Sequence, residues 1–419
     1  MKTDFEHAAG AGWQPPTRPT WVSTLNAIGT NLAGDSVVDL REDSLLDAAR
    51  TLTGLDDFGD DAWRVPFRLI LADLAAGDFN LTGRLLARID ILKSLAVRLQ
   101  MAETEKRYPE IREQPITEPI FITGLGRTGT SILVELIGQD VSLRPALGWE
   151  YRYPSPPPVA GHHDELRIRR SFADIKLWEE VIPELPAIHE TAITEPDEDS
   201  MGQMHEFVSP IWSGLHRLPS FEKWALTDGS ATALRFQRRI LQHLQWKKPG
   251  RFILKNPSLL SVLPSLFSEF ADARVVVTHR DPLKVMASSV DMLATLRWQR
   301  SDHVDHAEIV QRVAMGYPFL LDMLTKQRSE GIVPEDRFVD LRFADLMSDH
   351  IGAIRSVYEQ LGLSLSEEAA SRMRAYLVAK PKDRHGPRSY RFEDLGLDRA
   401  ETRRNFERYM KHFDIPEEN

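Results

Sequence analysis

Apolar residues early in the chain recur at helical spacing. From Asp43 onward, Leu45, Leu46, Ala49 and Leu52 gather on one side of a segment. A second helix is predicted over 66–76. A third starts near Asn80, with Leu81, Leu85, Leu92, Leu95 and Leu99 on one face. Asp78 or Asn80 can cap it, because a short polar side chain accepts from the free N–H groups of a first turn. Residues 1–30, rich in Gly, Pro and Thr, read as an extended arm. The pattern then changes. Pro119 to Thr123 is a short apolar run that ends in glycines, the signature of a buried strand, and 132–138 returns to helix. The alternation repeats at 251–255 with 258–270, and at 274–278 with 282–296. A weaker strand is predicted over 338–343, and helices at 345–361, 366–379 and 399–413 close the chain. Strands alternating with helices predict an α/β fold, a mostly parallel sheet flanked by helices. The expected organisation is an all-helical N-terminal region, 1–115, and an α/β domain, 116–419. Residues 151–250, with Pro154, Pro156, Pro157 and Pro158 and mixed helical pieces, form an insertion in that domain.

Composition narrows the possibilities. Of 419 residues, 42% are apolar and 27% charged, so the chain can build a core and is not a disordered or fibrous protein. Lys and Arg number 52 against 62 Asp and Glu, a net charge of −10, which offers no overall basic footprint for nucleic acid. The local run Arg384, Arg388, Arg391, Arg399, Arg403, Arg404 and Arg408 is the exception. Cysteine is absent, which removes disulfides, thiolate chemistry and Cys-ligated metals. The first 30 residues lack a basic-then-apolar signal, and no run of about 18 apolar residues occurs, so a cytoplasmic protein with no membrane span is expected.

The sharpest local signal is the loop from Gly124 to Ser131, between a predicted strand and a predicted helix. Glycines at 124, 126 and 129 allow a tight turn in which successive N–H groups and the helix N-terminus face one anion. An ordinary Gly-rich strand–helix turn is the plainer alternative. The spacing of Gly124 and Gly129, with Ser131 following, matches a Walker loop, yet Thr130 stands where its lysine belongs. An NTPase without that lysine loses its main contact to the β- and γ-phosphates. The G-x-G-x-x-G pattern of dinucleotide folds also matches, but lies deep in the chain with no acidic residue ending the next strand. About 150 residues on, a second strand, Arg274–Thr278, runs into Arg280, Asp281 and Pro282, with Ser288 on the following helix. An Arg at a strand end and a hydroxyl on the next helix can both reach a phosphate in the crevice there. Pairing of Arg280 with a local carboxylate such as Asp281 is the bland alternative.

Together the two motifs resemble those of sulfotransferases that use 3′-phosphoadenosine 5′-phosphosulfate (PAPS). The resemblance covers roughly 118–413 and implies a P-loop-type fold. It implies that Gly126, Arg127, Thr128, Gly129, Thr130 and Ser131 cradle the 5′-phosphosulfate, with Arg127 on the 5′-phosphate or leaving oxygen. Gly126 replaces the family's Pro. It further implies that Arg280 and Ser288 hold the 3′-phosphate, and that a C-terminal loop carrying Arg384, Arg388, Ser389 and Tyr390 closes over it. Leu254–Pro257 is similar to a family element that has a His two residues after the Pro, where this chain has Leu259. Lys255 either faces the donor or is a solvated surface charge. Leu341–Leu346 is similar to a family strand–helix junction.

Sulfuryl transfer needs a loose, in-line arrangement and charge stabilisation, with no bound metal expected. The acceptor, a hydroxyl or amine, needs a general base. Glu150, in Gly148–Glu150, resembles a carboxylate of protein-tyrosine sulfotransferases, and Trp149 beside it can desolvate it. His189 and His205 are the alternatives, because imidazole titrates near neutrality. Each can equally be structural. No H-E-x-x-H pattern accompanies either His. Six of nine Trp lie between Trp149 and Trp298, which favours a small acceptor with an apolar or ring-containing body, although core packing explains such residues too. The helical N-terminal block is expected to shape the acceptor entrance or a homodimer contact. An ATP-dependent kinase and a non-catalytic nucleotide-binding or scaffold protein are the competing readings.

Overall fold

The structure, a computed structural model, describes residues 13–32, 34–191, 193–380 and 390–418. Its centre is one sheet of five parallel strands: β1 (Ile120–Thr123), β2 (Leu143–Pro145), β3 (Arg251–Lys255), β4 (Arg274–His279) and β5 (Phe338–Arg342). Their order is β2-β3-β1-β4-β5. In β1, Ile120 pairs with Ile253 on one side and with Arg274 on the other. All four β1 residues are buried, as a central parallel strand covered on both faces requires. Strand β2 has no counterpart in the sequence reading, because three residues ending in an edge proline carry no period.

Alternate strand residues feed two cores. Phe121, Leu254, Val275 and Val277 pack on one face against the helix Ser230–Trp246 and against the helices Leu263–Glu269, Pro282–Trp298 and His306–Ser329. Ile120, Ile122, Ile253 and Val276 pack on the other against Thr130–Ile137, His350–Gln360 and Glu367–Ala379. The segment 258–270, read as one helix, is a 3-10 turn, Pro257–Ser261, and a helix, Leu263–Glu269, that restarts around Pro264. The segment 399–413 likewise divides into Arg399–Arg404 and Glu407–His412.

The N-terminal region is helical at Glu42–Thr53, Arg64–Ala76 and Leu81–Arg107. Asn80 Oδ1 accepts from the Gly83 amide at 2.8 Å and caps the last of these. The expected arm departs from extended structure at Thr20–Gly29, a helix with Val22 inside and Trp21 and Ile28 exposed. These helices do not form a core of their own. Leu45, Trp63, Phe67, Ile70, Leu95 and Leu99 share one with Phe207, Trp212, Leu215 and Phe221 of the insertion. The buried ion pair Arg98–Glu206 and the half-buried pair Lys93–Asp174 cross the same boundary.

Glu105, at the end of Leu81–Arg107, accepts from Arg239 Nε at 2.6 Å and sits 2.9 Å from His243 Nε2. Burial alone would raise its carboxyl, but these partners hold it down at about 2. A carboxylate depressed from its unfolded value stabilises the fold above that value, and the contribution fades as pH falls through the folded one. Urea denaturation should therefore show stability dropping between about pH 5 and pH 2. Glu105→Gln should flatten that slope and cost on the order of 2–3 kcal/mol at pH 7.

Candidate active site

The loop between β1 and the helix Thr130–Ile137 is shaped by two close constraints. At Gly124 a Cβ would lie 2.3 Å from Thr278 Oγ1 and 2.7 Å from its carbonyl oxygen, so no side chain fits between β1 and β4 there. At Gly129 the backbone turns through φ 91° to start the helix. Arg127, at φ 67°, is exposed at the loop tip. Thr128, expected among the donor contacts, is bound within the protein. Its hydroxyl donates to the Leu125 carbonyl at 2.6 Å, lies 2.7 Å from Thr278 Oγ1, and is 2% exposed. That side chain braces the loop and is turned away from any ligand.

The second motif meets the first. Arg280 follows β4, and its Nη1 donates to the Arg127 carbonyl at 3.1 Å. Its Nε and Nη2 donate to the Glu418 carboxylate at 3.0–3.1 Å, and its guanidinium lies 4.0 Å from the Phe343 ring centre. Asp281 does not pair with Arg280. It caps Pro282–Trp298, binds Arg403 through both oxygens, and accepts from the Glu418 amide. Ser288 is nearly buried on that helix. Its neighbour Ser289, which receives the Tyr317 hydroxyl, lies 3.9 Å from where a Gly126 Cβ would stand.

A cation arrives from β3. Lys255 Nζ donates to Ser131 Oγ at 3.0 Å and lies 3.2 Å from Glu198 Oε1. The segment around Glu198 is tied to the same strand end, where the Asp199 amide donates to the Lys255 carbonyl at 3.0 Å. Burial would lower the Lys255 ammonium, but the charges of Glu198, Asp197 and Glu135 and the hydrogen bond to Glu198 together outweigh it and the ammonium is raised. Burial would raise Glu198, and Lys255, with His189 and Ser200, holds it below the usual carboxylate range instead. Burial drives the neighbouring Asp199 carboxyl well up. His189 is half-buried at the end of the short helix Leu185–Ile188, near enough for Glu198 to feel its charge.

Glu150 is elsewhere. It is fully buried, with Oε2 accepting from the Leu147 amide at 3.0 Å and Oε1 from Arg144 and Lys248 at 3.2 and 3.1 Å. It closes the first turn of Gly148–Arg152, and both oxygens are committed, which does not suit the proton acceptor expected of it. His205 is equally enclosed. Burial pushes it down to about 3, and Nε2 sits 3.0 Å from the Tyr151 carbonyl. Leu259 is an apolar core residue. Arg384, Arg388 and Ser389 lie outside the described residues, and Tyr390 is half-buried just after them. Among the described residues, no three His, Asp or Glu side chains gather as a metal site. Sequence reasoning did not single out Glu198, Ser289 or Glu418. The acidic run 195–199 was the available hint for the first.

A loop cradle at the end of β1, with cations from both neighbouring strand ends, is the signature of one class. Residues 119–367 match the sulfotransferase family, more than half of the chain, and the chain belongs to that family. It is similar, at 28% identity over 275 residues, to omega-hydroxy-beta-dihydromenaquinone-9 sulfotransferase Stf3 of Mycobacterium bovis. That match takes in 62% of this chain and 66% of the relative, just under two thirds of its length. Sulfotransferase STF9 of Mycobacterium avium superposes with a TM-score of 0.81 at 25% identity, covering 90% of this chain and 98% of that one. Sulfotransferase STF1 of Mycobacterium tuberculosis H37Rv gives 0.76 at 28%, covering 89% and 99%. The tenth left uncovered is much smaller than the region before β1, so N-terminal helices belong to the shared fold.

The Glu418 carboxylate occupies the Arg280 guanidinium. Glu418→Gln should therefore free it and tighten binding of inorganic phosphate by about 3- to 10-fold at low salt, the scale of one partly exposed ion pair. Calorimetric titration checks this, and the gain should shrink as salt rises.

Proposed function

We propose that this chain transfers a sulfuryl group from PAPS to a hydroxyl of a small, lipid-like acceptor. The observation that carries the reading is the junction of Arg280 with Arg127, where a carboxylate already sits in two-pronged contact with the guanidinium. That is the contact a phosphate oxygen pair would make. The bound donor would supply an SO₃ group on a phosphate leaving group.

The chain's own residues fit it. Backbone N–H groups of 124–131 and the start of Thr130–Ile137 face the loop's hollow and favour the 5′-phosphosulfate. Arg127 reaches it from the tip. Lys255, held at Ser131, supplies from β3 the charge that Thr130 cannot supply from the loop. Arg280, with Ser288 and Ser289 on the following helix, would take the 3′-phosphate. The kinase reading is weaker. The neighbouring strands end in Lys255 and Asn256, and in Thr278 and His279, so neither strand end carries a carboxylate to hold Mg²⁺.

The acceptor side is assigned to the helical shell, with 116–419 as the catalytic unit and 151–250 its acceptor-facing insertion. A cavity between Leu81–Arg107 and Glu165–Val181 is lined by Ile89, Lys93, Arg152, Ile175, Trp178 and Met201. Arg152 is buried, binds Asp197 at 3.1 Å, and leaves Nε and Nη2 unpartnered. The cavity is about 30 Å³, room for a water or a small polar group beside those donors, and Asp197 links them to Glu198. The relative Stf3 is named for a hydroxylated dihydromenaquinone, a lipid-like acceptor. The cysteine-free composition fits a cytoplasmic setting.

Calorimetric titration with 3′-phosphoadenosine 5′-phosphate (PAP), against ATP plus Mg²⁺, tests the reading. Metal-independent binding of PAP, weakened about 10- to 100-fold by Arg280→Ala, is expected, a loss of about 1.4–2.8 kcal/mol. Preference for ATP with Mg²⁺ would overturn it in favour of a kinase.

A further inference from the structure

We infer that Glu198 is the general base of the transfer, and that its ion pair with Lys255 couples proton removal to stabilisation of the leaving oxygen. The inference rests on the sulfotransferase reading above. The three groups expected to take the proton are placed differently from Glu198. Glu150 and His205 are sealed in the interior with their partners. His189 lies at a helix end, and among the described residues no hydrogen bond or ion pair joins it to the loop. Glu198 is bound directly to the cation that touches Ser131, and its side chain keeps 22% exposure. It is open enough to receive a hydroxyl and close enough to the loop to serve one.

The groups around it come from every neighbouring element. They are Lys255 on β3, His189 after Leu185–Ile188, Ser200, whose hydroxyl donates to it at 3.2 Å, and the flanking Asp197 and Asp199. Glu135 on Thr130–Ile137 acts on it through Lys255. Lys255 is the cation in contact with it, and that contact keeps the carboxylate ionised and ready at neutral pH.

The chemistry balances as follows. The acceptor oxygen forms its bond to sulfur and gives its proton to the Glu198 carboxylate. The bond from sulfur to the 5′-phosphate oxygen breaks, and that oxygen keeps the electron pair and leaves as the phosphate of PAP. Once protonated, Glu198 no longer neutralises Lys255. The ammonium beside Ser131 then turns its full charge on the leaving oxygen as negative charge builds there, in a site where water screens little. A lysine without this partner would bind the charged ground state just as strongly and gain less for the reaction.

The test uses water as the acceptor, so that no unidentified substrate is needed: release of PAP from PAPS is followed in wild type, Glu198→Gln, Glu198→Asp and Glu198→Ala. Glu198→Gln should lose about 10²- to 10⁴-fold in rate while PAP affinity is kept or tightened, because Lys255 loses its counter-charge. Retained affinity shows that the fold and donor site survive. Glu198→Asp should retain part of the rate. Added formate, a small carboxylate that fits the space left in Glu198→Ala, should restore that variant at least about tenfold without changing PAP affinity. A Glu198→Gln rate within about threefold of wild type, or no rescue by formate, would overturn the assignment. Failure of the wild type to bind PAP would overturn the donor-site reading instead.

Discussion

Strand β1 hydrogen-bonds to β3 on one side and β4 on the other, both parallel, so three C-terminal ends emerge in a row. Everything at the site hangs on that geometry. The central strand delivers the glycine loop, β3 delivers Lys255, and β4 delivers Arg280. Residues separated by more than 120 positions become neighbours with no long side-chain reach. The approach is close enough that Gly124 has no room for a Cβ, and the Thr128 hydroxyl locks onto Thr278. A rigid loop matters because charge stabilisation by preset dipoles works only if they need not reorganise.

The electrostatics follow from where the cations enter. A lysine within the loop would point along the loop's own helix. Here the ammonium comes from the adjacent strand and is almost fully buried, so it needs a counter-charge to remain protonated, and Glu198 supplies it. On the β4 side, Arg280 stacks on Phe343 and is more open, and a carboxylate from the end of the chain satisfies it. The two flanks thus differ: Lys255 is nearly buried against Glu198, whereas Arg280 is held by Glu418 at a more open position.

Much of this was legible in the sequence. Short apolar runs marked β1, β3 and β4, and the residues that follow β1 and β4 marked the loop and Arg280. What escaped depended on contacts between distant segments. Glu150 looked suitable because Trp149 stood beside it, but Arg144 and Lys248 seal it, and Lys248 lies 98 residues away. Glu198 sits in an acidic run that carries no motif, and only the pairing of its segment with the end of β3 brings it to the site. Strand β2 was too short to show a period, and Thr20–Gly29 carries no charge at either end to announce a helix. Lys255 was visible as a strand-end lysine, while its burial was not.

The core shared by the N-terminal helices and the insertion bears on how such a chain can be recombined. A junction placed just before β1 would look safe in sequence, since the sheet and both donor motifs lie beyond it. It would nonetheless part Arg98 from Glu206, Lys93 from Asp174 and Asp90 from Arg300, and would expose the aromatic contacts of Trp63 and Phe67 with Phe207. Hybrids between relatives should therefore inherit the helices before β1, the insertion and the end of Pro282–Trp298 from one parent. The sheet and its loops can be exchanged piecewise; the helical shell travels as a single interlocked unit.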